Sequence, residues 1–182
     1  METKKSNKIF IRLLIPIVAM VVLQGFFFLK ARTSPQWVYA RRALECTTPN
    51  YDLRYCIDLD AGSRKDFTNS SWKPMPCINT ATSFYNPIRR AGNCNRFMAN
   101  PAKWGFREVS ANEAVPGDLI LWVRKKDGAR HAAVYTCNSI VGPLCANSNY
   151  PKGAFYHFTP VNIVKWLGLG GYRTMKYYRY KG

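Results

Sequence analysis

A cysteine and a histidine, two residue types that cooperate in thiol-based catalysis, occur in this sequence in contexts that suit that chemistry. Cys77 follows Pro76 at the start of a predicted helix, where unpaired N–H groups and the helix dipole favour a thiolate. His131 lies in a predicted strand behind a charged turn, from which its ring could face the end of that helix. We therefore interpret Cys77 as a nucleophile and His131 as its base.

An imidazole that acts as a base needs a third group to orient its ring. Asn147 and Asn149 fall two residues apart on the next predicted strand, so they share one face of it. Either side chain could hydrogen-bond the far ring nitrogen of His131. We prefer Asn147 as the third catalytic residue, and Asn149 remains the alternative.

The same residues also have ordinary structural interpretations, and the chain contains rivals for two roles. A cysteine at a helix start is often a buried hydrophobe, and an asparagine beside a loop is often a turn former. Cys94 is the rival nucleophile, although Pro101 would end its helix after seven residues. His157 is the rival base, and its structural interpretation is a side chain at a sheet edge.

The six cysteines (46, 56, 77, 94, 137 and 145) do not have the spacing of a zinc site, because no C-x-x-C occurs. The two histidines are also too far apart to be interpreted as ligands, so we predict neither a metal ion nor a cofactor. Disulfides are expected in an exported domain. Cys46 with Cys56 and Cys137 with Cys145 are close enough to pair locally, and we expect the second pair to be linked. A catalytic Cys77 must stay free.

The segment that contains Cys77 has the pattern of short helices. Apolar residues recur at helical spacing from Ile78 to Tyr85, and Pro87 ends the pattern. A second, shorter helical stretch is predicted around Arg96–Asn100. These helices would place Cys77 at the first turn of an element that buries one face.

From Val115 onward the pattern changes to short strands separated by turns. Pro116-Gly117-Asp118 is a turn signature, DLILWV a buried strand, RKKDG a charged hairpin turn, and ARHAAVYT the next strand. Further strands are predicted within residues 137–150, in FYHFTPVNI and in the C-terminal GGYRTMKYYRYKG. Helices followed by antiparallel strands indicate an α+β fold.

These motifs together resemble those of the NlpC-like cell-wall peptidases and their CHAP relatives, two groups of the papain-like superfamily. The resemblance covers roughly Trp72 to Tyr180 and is most specific in VPGDLILW and HAAVY. It implies a papain-like fold, with the catalytic Cys77 at the N-terminus of a helix packed on an antiparallel sheet that carries His131. ANSNY is similar to the CHAP stretch in which an acidic residue and an asparagine stand two apart, which places Asn147 at the acidic position and Asn149 at the asparagine position.

The resemblance implies a hydrolase that cleaves an amide bond of peptidoglycan through a cysteine thioester. The bond would lie in a stem peptide or join the peptide to sugar. NlpC-like enzymes usually have Asp-Cys-Ser-Gly around the nucleophile, whereas this chain has Pro-Cys-Ile-Asn, a departure that bears on the substrate more than on the reaction type. A related group of lipid acyltransferases has its histidine before its cysteine, which is the opposite of the order here.

The N-terminal segment predicts the compartment. Four basic residues precede the run from Leu13 to Leu29, which contains no charge, no polar face, and covers roughly 25 Å as a helix. Its bulky end at Phe26–Leu29 favours a retained membrane anchor over a cleaved signal peptide. We predict an anchor or signal segment over 1–30, with the membrane contacted through residues 9–29 and the rest of the chain outside the cytoplasm.

The remaining chain divides into a linker and N-terminal subregion over 31–71 and a catalytic domain over 72–182. The net charge of +17, from 27 basic and 10 acidic side chains, favours an anionic partner such as a cell-envelope polymer, a membrane face or nucleic acid. An export segment places the domain away from nucleic acid, so we expect no nucleic-acid partner. A catalytically inactive, basic wall-binding module of the same fold is the alternative function.

Overall fold

One antiparallel sheet carries the candidate catalytic residues on its central strands. The structure, a computed structural model, describes residues 3–45, 77–86, 91–149, 154–167 and 172–182. Within them the strand order in the sheet is β1-β6-β2-β3-β4-β5. The strands are β1 (Phe106–Val109), β2 (Leu119–Arg124), β3 (Gly128–Ser139), β4 (Gly142–Asn149), β5 (Ala154–Pro160) and β6 (Tyr172–Tyr180).

The helices precede the sheet in the chain, apart from one that lies between the last two strands. This arrangement confirms the predicted α+β class. The predicted strands correspond to β2 through β6, whereas β1 and the helix after β5 were not predicted from the sequence. The helices are α1 (Thr3–Ala31), α2 (Trp37–Glu45), α3 (Cys77–Ser83), α4 (Cys94–Ala99) and α5 (Val161–Leu167), and a 3-10 turn spans Pro101–Trp104.

The two faces of the sheet are covered by different helices. Because successive side chains of a strand point to opposite faces, Leu119 and Leu121 pack with α3 and α4, whereas Ile120 and Trp122 pack on the side of α5. Every one of these four β2 side chains is at most 5% exposed. A strand buried on both faces explains the unbroken apolar run of DLILWV.

The Pro-Gly-Asp turn joins the helical layer to the sheet. Gly117 has φ +98, and a Cβ built on it would lie 1.9 Å from the carbonyl oxygen of Gln36. The hydroxyl of Tyr85 donates to the Gly117 carbonyl over 2.7 Å. A residue without a side chain is required here because the chain before α2 crosses directly over the turn.

Asp118, the third residue of that turn, is a fully buried carboxylate. It accepts a hydrogen bond from the backbone N–H of Val115 at 2.8 Å. The guanidinium of Arg179 on β6 donates to both of its oxygens, at 3.1 and 2.9 Å. This bidentate ion pair fixes the start of β2 against its neighbour β6.

Helix α1 is the element that could contact a membrane. Its segment Leu14–Ala31 has a mean hydropathy of 2.1 and is long and apolar enough to cross a membrane or to serve as a signal sequence. The C-terminal part of α1 contacts the sheet, where Ala31 is buried against Cys137 of β3.

The expected disulfide between Cys137 and Cys145 is wrong in this structure, since both thiols are free and buried. The ladder pairs Tyr135 with Cys145 but Cys137 with Leu144, so an extra residue is inserted in β3 at Thr136. One inserted residue turns the following side chains to the other face of the sheet. Cys46 and Cys56, the other expected pair, lie outside the described residues.

The buried ion pair generates a stability prediction. Arg179→Met should leave the Asp118 carboxylate buried without its charge partner and lower the free energy of unfolding by about 3 to 5 kcal/mol. Lys176→Met, on the same strand, breaks only the exposed pair with Glu108 and should cost less than about 1 kcal/mol. Urea unfolding of the detergent-solubilised chain measures both, and equal losses in the two variants would contradict the role given to Asp118.

Candidate active site

Cys77 is the first residue of α3 and lies at the junction between that helix and the sheet. The side chains of Ile78 and Ala81, which follow it on α3, are buried in the helical layer. Cys77 itself is 8% exposed. The helix thus presents the thiol at its first turn, as the sequence predicts, and packs the rest of its apolar face on β3 and β4.

His131 is fixed on β3 by one aromatic ring and one amide. Trp122 lies directly opposite on β2, with its ring centroid 4.7 Å from that of His131 and the two planes 36° apart. His131 Nε2 lies 3.1 Å from Oδ1 of Asn147 on β4. Asn147 Nδ2 in turn donates to Thr159 Oγ1 over 2.8 Å, which turns its oxygen toward the imidazole. Nε2 is therefore the donating nitrogen, and Nδ1 is left for the thiol.

The strands β3 and β4 stop pairing just where Cys77 meets the sheet. Their ladder ends with Ala133 opposite Asn147. Tyr135 exchanges its backbone hydrogen bonds with the β2 side, through Gly117 and Asp118. Because this direction alternates along an antiparallel strand, the N–H of Ala132 points toward the β4 side, beyond the last pair. That N–H is one of the groups that stabilise the Cys77 thiolate.

A second thiol completes the surroundings of Cys77. Its Sγ lies 3.8 Å from Sγ of Cys94, at the start of α4. A disulfide bond is about 2.05 Å long, so the contact is a hydrogen bond between two sulfurs. Cys94, which the sequence offered as a rival nucleophile, thus lies beside Cys77 in the same site.

The pKa of Cys77 is lowered to about 4 by its neighbours. The hydrogen bond from Cys94 contributes most, while burial opposes it by raising the pKa. The hydrogen bond and charge of His131 and the N–H of Ala132 lower it further. By contrast, burial alone raises the pKa of Cys145. Cys77 is therefore a thiolate at neutral pH, and the Cys145 thiol stays protonated.

The side chain of Asn95 bonds helix α4 to β3 and to the turn before it, in addition to the core packing of Phe97. Nδ2 of Asn95 donates to the carbonyl of Asp127 at 3.1 Å, and its Oδ1 accepts from the N–H of Ala129 at 2.6 Å. Gly128, between them, has φ +79, and a Cβ there would lie 2.5 Å from that Oδ1. Asn95 thereby locks Cys94 in place relative to the strand that carries His131.

The structure brings together Cys77, His131 and Asn147. Asn149 ends β4 opposite Ala154, beyond the last β3–β4 pair, and its side chain is outside the described set. The rival base His157 belongs to β5, and its side chain is likewise not described.

Sequence reasoning did not find Trp122, Thr159 or the contact of Cys94 with Cys77. Pairing DLILWV with ARHAAVY across the RKKDG turn could have placed Trp122 opposite His131. The other two contacts depend on tertiary packing.

Among the described residues, no group of three or more His, Cys, Asp or Glu side chains could hold a metal ion. Comparison with protein-family models, with characterised proteins and with solved structures finds no match to this chain.

The thiol pair generates a pH prediction. Alkylation of Cys77 by iodoacetamide should stay fast at pH 6 and slow only as the pH approaches 4. Cys94→Ala removes the largest contribution that lowers this pKa, so its alkylation rate should fall at pH 6 and recover as the pH rises. Peptide mass spectrometry measures both rates.

Cys145→Ala is the matched control, because Cys145 is buried in the opposite face of the sheet. Its Cys77 profile should superimpose on that of the unmodified chain. A Cys94→Ala profile identical to both would show that Cys94 does not stabilise the thiolate.

Proposed function

We propose that this protein is a papain-like cysteine hydrolase that cleaves an amide bond, with Cys77 as nucleophile, His131 as base and Asn147 as orienting residue. The observation that carries the proposal is the chain of contacts from the Cys77 thiolate through the imidazole to the Asn147 amide. A purely structural cysteine needs none of these contacts, and a buried thiol without them has a raised pKa, as in Cys145.

The proposed reaction is acyl transfer in two steps. The Cys77 thiolate attacks the amide carbonyl carbon, and the imidazolium of His131 protonates the departing amine, which leaves a thioester. His131 then removes a proton from water, whose oxygen attacks the thioester and releases the carboxylic acid. The backbone N–H of Cys77, beside the reacting sulfur, is the candidate donor to the oxyanion.

Asn147 keeps the imidazole in the useful orientation throughout. With Nε2 bonded to Asn147, Nδ1 is the nitrogen that exchanges protons with Cys77, the amine and water. Trp122 limits the ring from one side, so rotation of His131 away from the thiol would break both contacts. The same bond stabilises the imidazolium that forms beside the thiolate.

Peptidoglycan is the proposed substrate class. Support comes from the resemblance to NlpC-like and CHAP enzymes, from the N-terminal helix that suits export or anchoring, and from the net charge of +17. A basic protein at the outer membrane face is attracted to anionic envelope polymers. A cleaved N-terminal segment would give a secreted form of the same enzyme.

The first test of catalysis removes the two reacting groups. Cys77→Ala and His131→Ala should each abolish the release of peptidoglycan fragments by the detergent-solubilised full chain, because both groups act in one step. Cys145→Ala should remain active. Cys94→Ala should also remain active, but its hydrolysis rate should begin to fall at a higher pH than in the unmodified chain as the solution is acidified. Mass analysis of the released muropeptides identifies the bond that is cut.

Hydrolysis that persists in Cys77→Ala but is lost in Cys94→Ala would exchange the roles of the two thiols. Binding to peptidoglycan without fragment release, in the unmodified chain as in both variants, would instead support the inactive wall-binding module.

The second test concerns the orienting residue. Asn147→Ala should lower kcat/KM about tenfold or more, since ~1.4 kcal/mol of lost transition-state stabilisation has that effect. Its pH profile between pH 5 and 9 should also change, because the ring no longer has a fixed partner. Thr159→Val, which only frees the Asn147 amide to rotate, should have a smaller effect.

Asn149→Ala is the matched control on the same strand. It should change kcat/KM less than Asn147→Ala does, since Asn149 lies beyond the β3–β4 ladder. A collapse in Asn149→Ala with an unchanged Asn147→Ala would move the orienting role to Asn149.

A further inference from the structure

The last turns of α1 pack on strand β3 and obtain a polar contact from it. Gln24 Nε2 donates to the Asn138 carbonyl at 3.1 Å and lies 3.7 Å from the Cys137 sulfur. Gln24 is the only polar side chain between Leu13 and Leu29. An amide facing hydrocarbon is costly unless it is bonded, so β3 provides the partner that makes this residue tolerable in an apolar helix.

Strand β3 runs antiparallel to the end of α1, so that later residues of β3 lie beside earlier residues of α1. The Tyr135 carbonyl accepts from the N–H of Gly117, and the carbonyl of the adjacent Pro116 accepts from the hydroxyl of Ser34, which lies just after α1. Three residues further on, Asn138 meets Gln24, ten positions earlier in the chain. The β3–β4 hairpin tip, residues 139–142, therefore continues in the direction of the apolar part of α1.

The chemistry of the hairpin tip suits an apolar environment. Ile140 is 59% exposed and Val141 is 42% exposed. Three of the polar groups beside them are bonded within the turn: Ser139 Oγ donates to the Gly142 carbonyl at 2.8 Å and accepts from the Val141 N–H at 3.2 Å. These internal bonds lower the cost of moving the turn out of water.

Helix α5 adds two further exposed apolar side chains next to the hairpin tip. Gly142 touches Asn162 so closely that a Cβ on it would lie 2.1 Å from Asn162 Nδ2. Trp166 follows Asn162 by four residues, on the same face of α5, and is 81% exposed. Leu167, beside it, is 52% exposed. Tryptophan is favoured where a membrane meets water.

The length of α1 indicates how deep Gln24, Asn138 and the hairpin tip would lie in a membrane. Its apolar segment Leu14–Ala31 has 18 residues, which is roughly 27 Å of helix and close to the ~30 Å of a hydrocarbon core. Gln24 lies seven residues before the end of that segment, or about 10 Å inside it. Asn138 accepts from the end of the Gln24 side chain and also lines a cleft with Ser34, so it lies between these two depths, and the hairpin tip lies further along.

We propose that the hairpin tip inserts into the hydrocarbon of the nearer membrane leaflet beside α1, with Trp166 at the boundary with water. The inference rests on α1 spanning the membrane and is independent of the proposed hydrolysis. Its partner is the lipid bilayer itself, because the tip continues the apolar surface of α1. The domain would then contact the bilayer directly as well as being attached to it through α1.

Photolabelling from within the bilayer tests the proposal. The full chain is reconstituted in phosphatidylcholine vesicles that contain a lipid with a diazirine midway along one acyl chain, and adducts are located by peptide mass spectrometry after illumination. We expect adducts in Leu14–Leu23 and in the hairpin tip. The β2–β3 turn with Lys125 and Lys126, at the opposite end of β3, is the internal control and should stay unlabelled.

A double variant, Ile140→Ser with Val141→Ser, should lower the labelling of the hairpin tip at least fivefold and leave that of α1 unchanged. Labelling of Leu14–Leu23 with no more at the hairpin tip than at the β2–β3 turn would overturn the insertion. Absence of labelling in α1 as well would overturn its membrane span and this inference with it. Fragment release from peptidoglycan, measured separately, shows whether the proposed hydrolysis stands in either case.

Discussion

The thiolate of Cys77 is a negative charge that is almost completely buried, and the surrounding elements are arranged so that they stabilise it. Burial by itself would keep the thiol protonated, as it does for Cys145. Three donors reverse that outcome at Cys77, namely the Cys94 thiol, the His131 ring and the Ala132 N–H. Each comes from a different part of the chain, so the charge exists only where α3, α4 and β3 meet. Loss of any one contact would shift the balance toward the neutral thiol.

The position of that meeting point is set by backbone geometry at some distance from it. The β3–β4 ladder ends at Ala133, which leaves the next N–H directed outward for the thiolate. Asn95 ties α4 to the turn before β3, and the Asp118–Arg179 pair fixes the other end of β2. The stability of the sheet and the charge of the site are therefore coupled through β3, since a shift of this strand would move His131 and Ala132 together.

Much of this fold could be predicted from the sequence because its signals are local. The helix start at Cys77, the Pro-Gly-Asp turn and the strand that carries His131 follow from proline, glycine and apolar periodicity. The contact between Asn147 and His131 depends on register. Sequence spacing leaves it open, because Asn147 and Asn149 stand two residues apart. Register was also the reason for the wrong disulfide. The extra residue at Thr136 places Cys137 and Cys145 on opposite faces of the sheet. No residue type in that stretch predicts this insertion. The Cys77–Cys94 contact depends on how two short helices meet, which no local pattern encodes.

With α1 in a membrane, β3 would connect the bilayer to the candidate site. Its C-terminal end bonds to α1 at Asn138, and His131 lies seven residues before that contact on the same strand. At about 3.3 Å per residue, the imidazole stands roughly 23 Å from the contact along the strand. Because β3 pairs with β2 up to Val134 and with β4 from Ala133 onward, this separation cannot change by bending of a loop. Such a site would act only on polymer that passes within a fixed distance of the membrane, a restraint that comes from the fold and requires no additional partner.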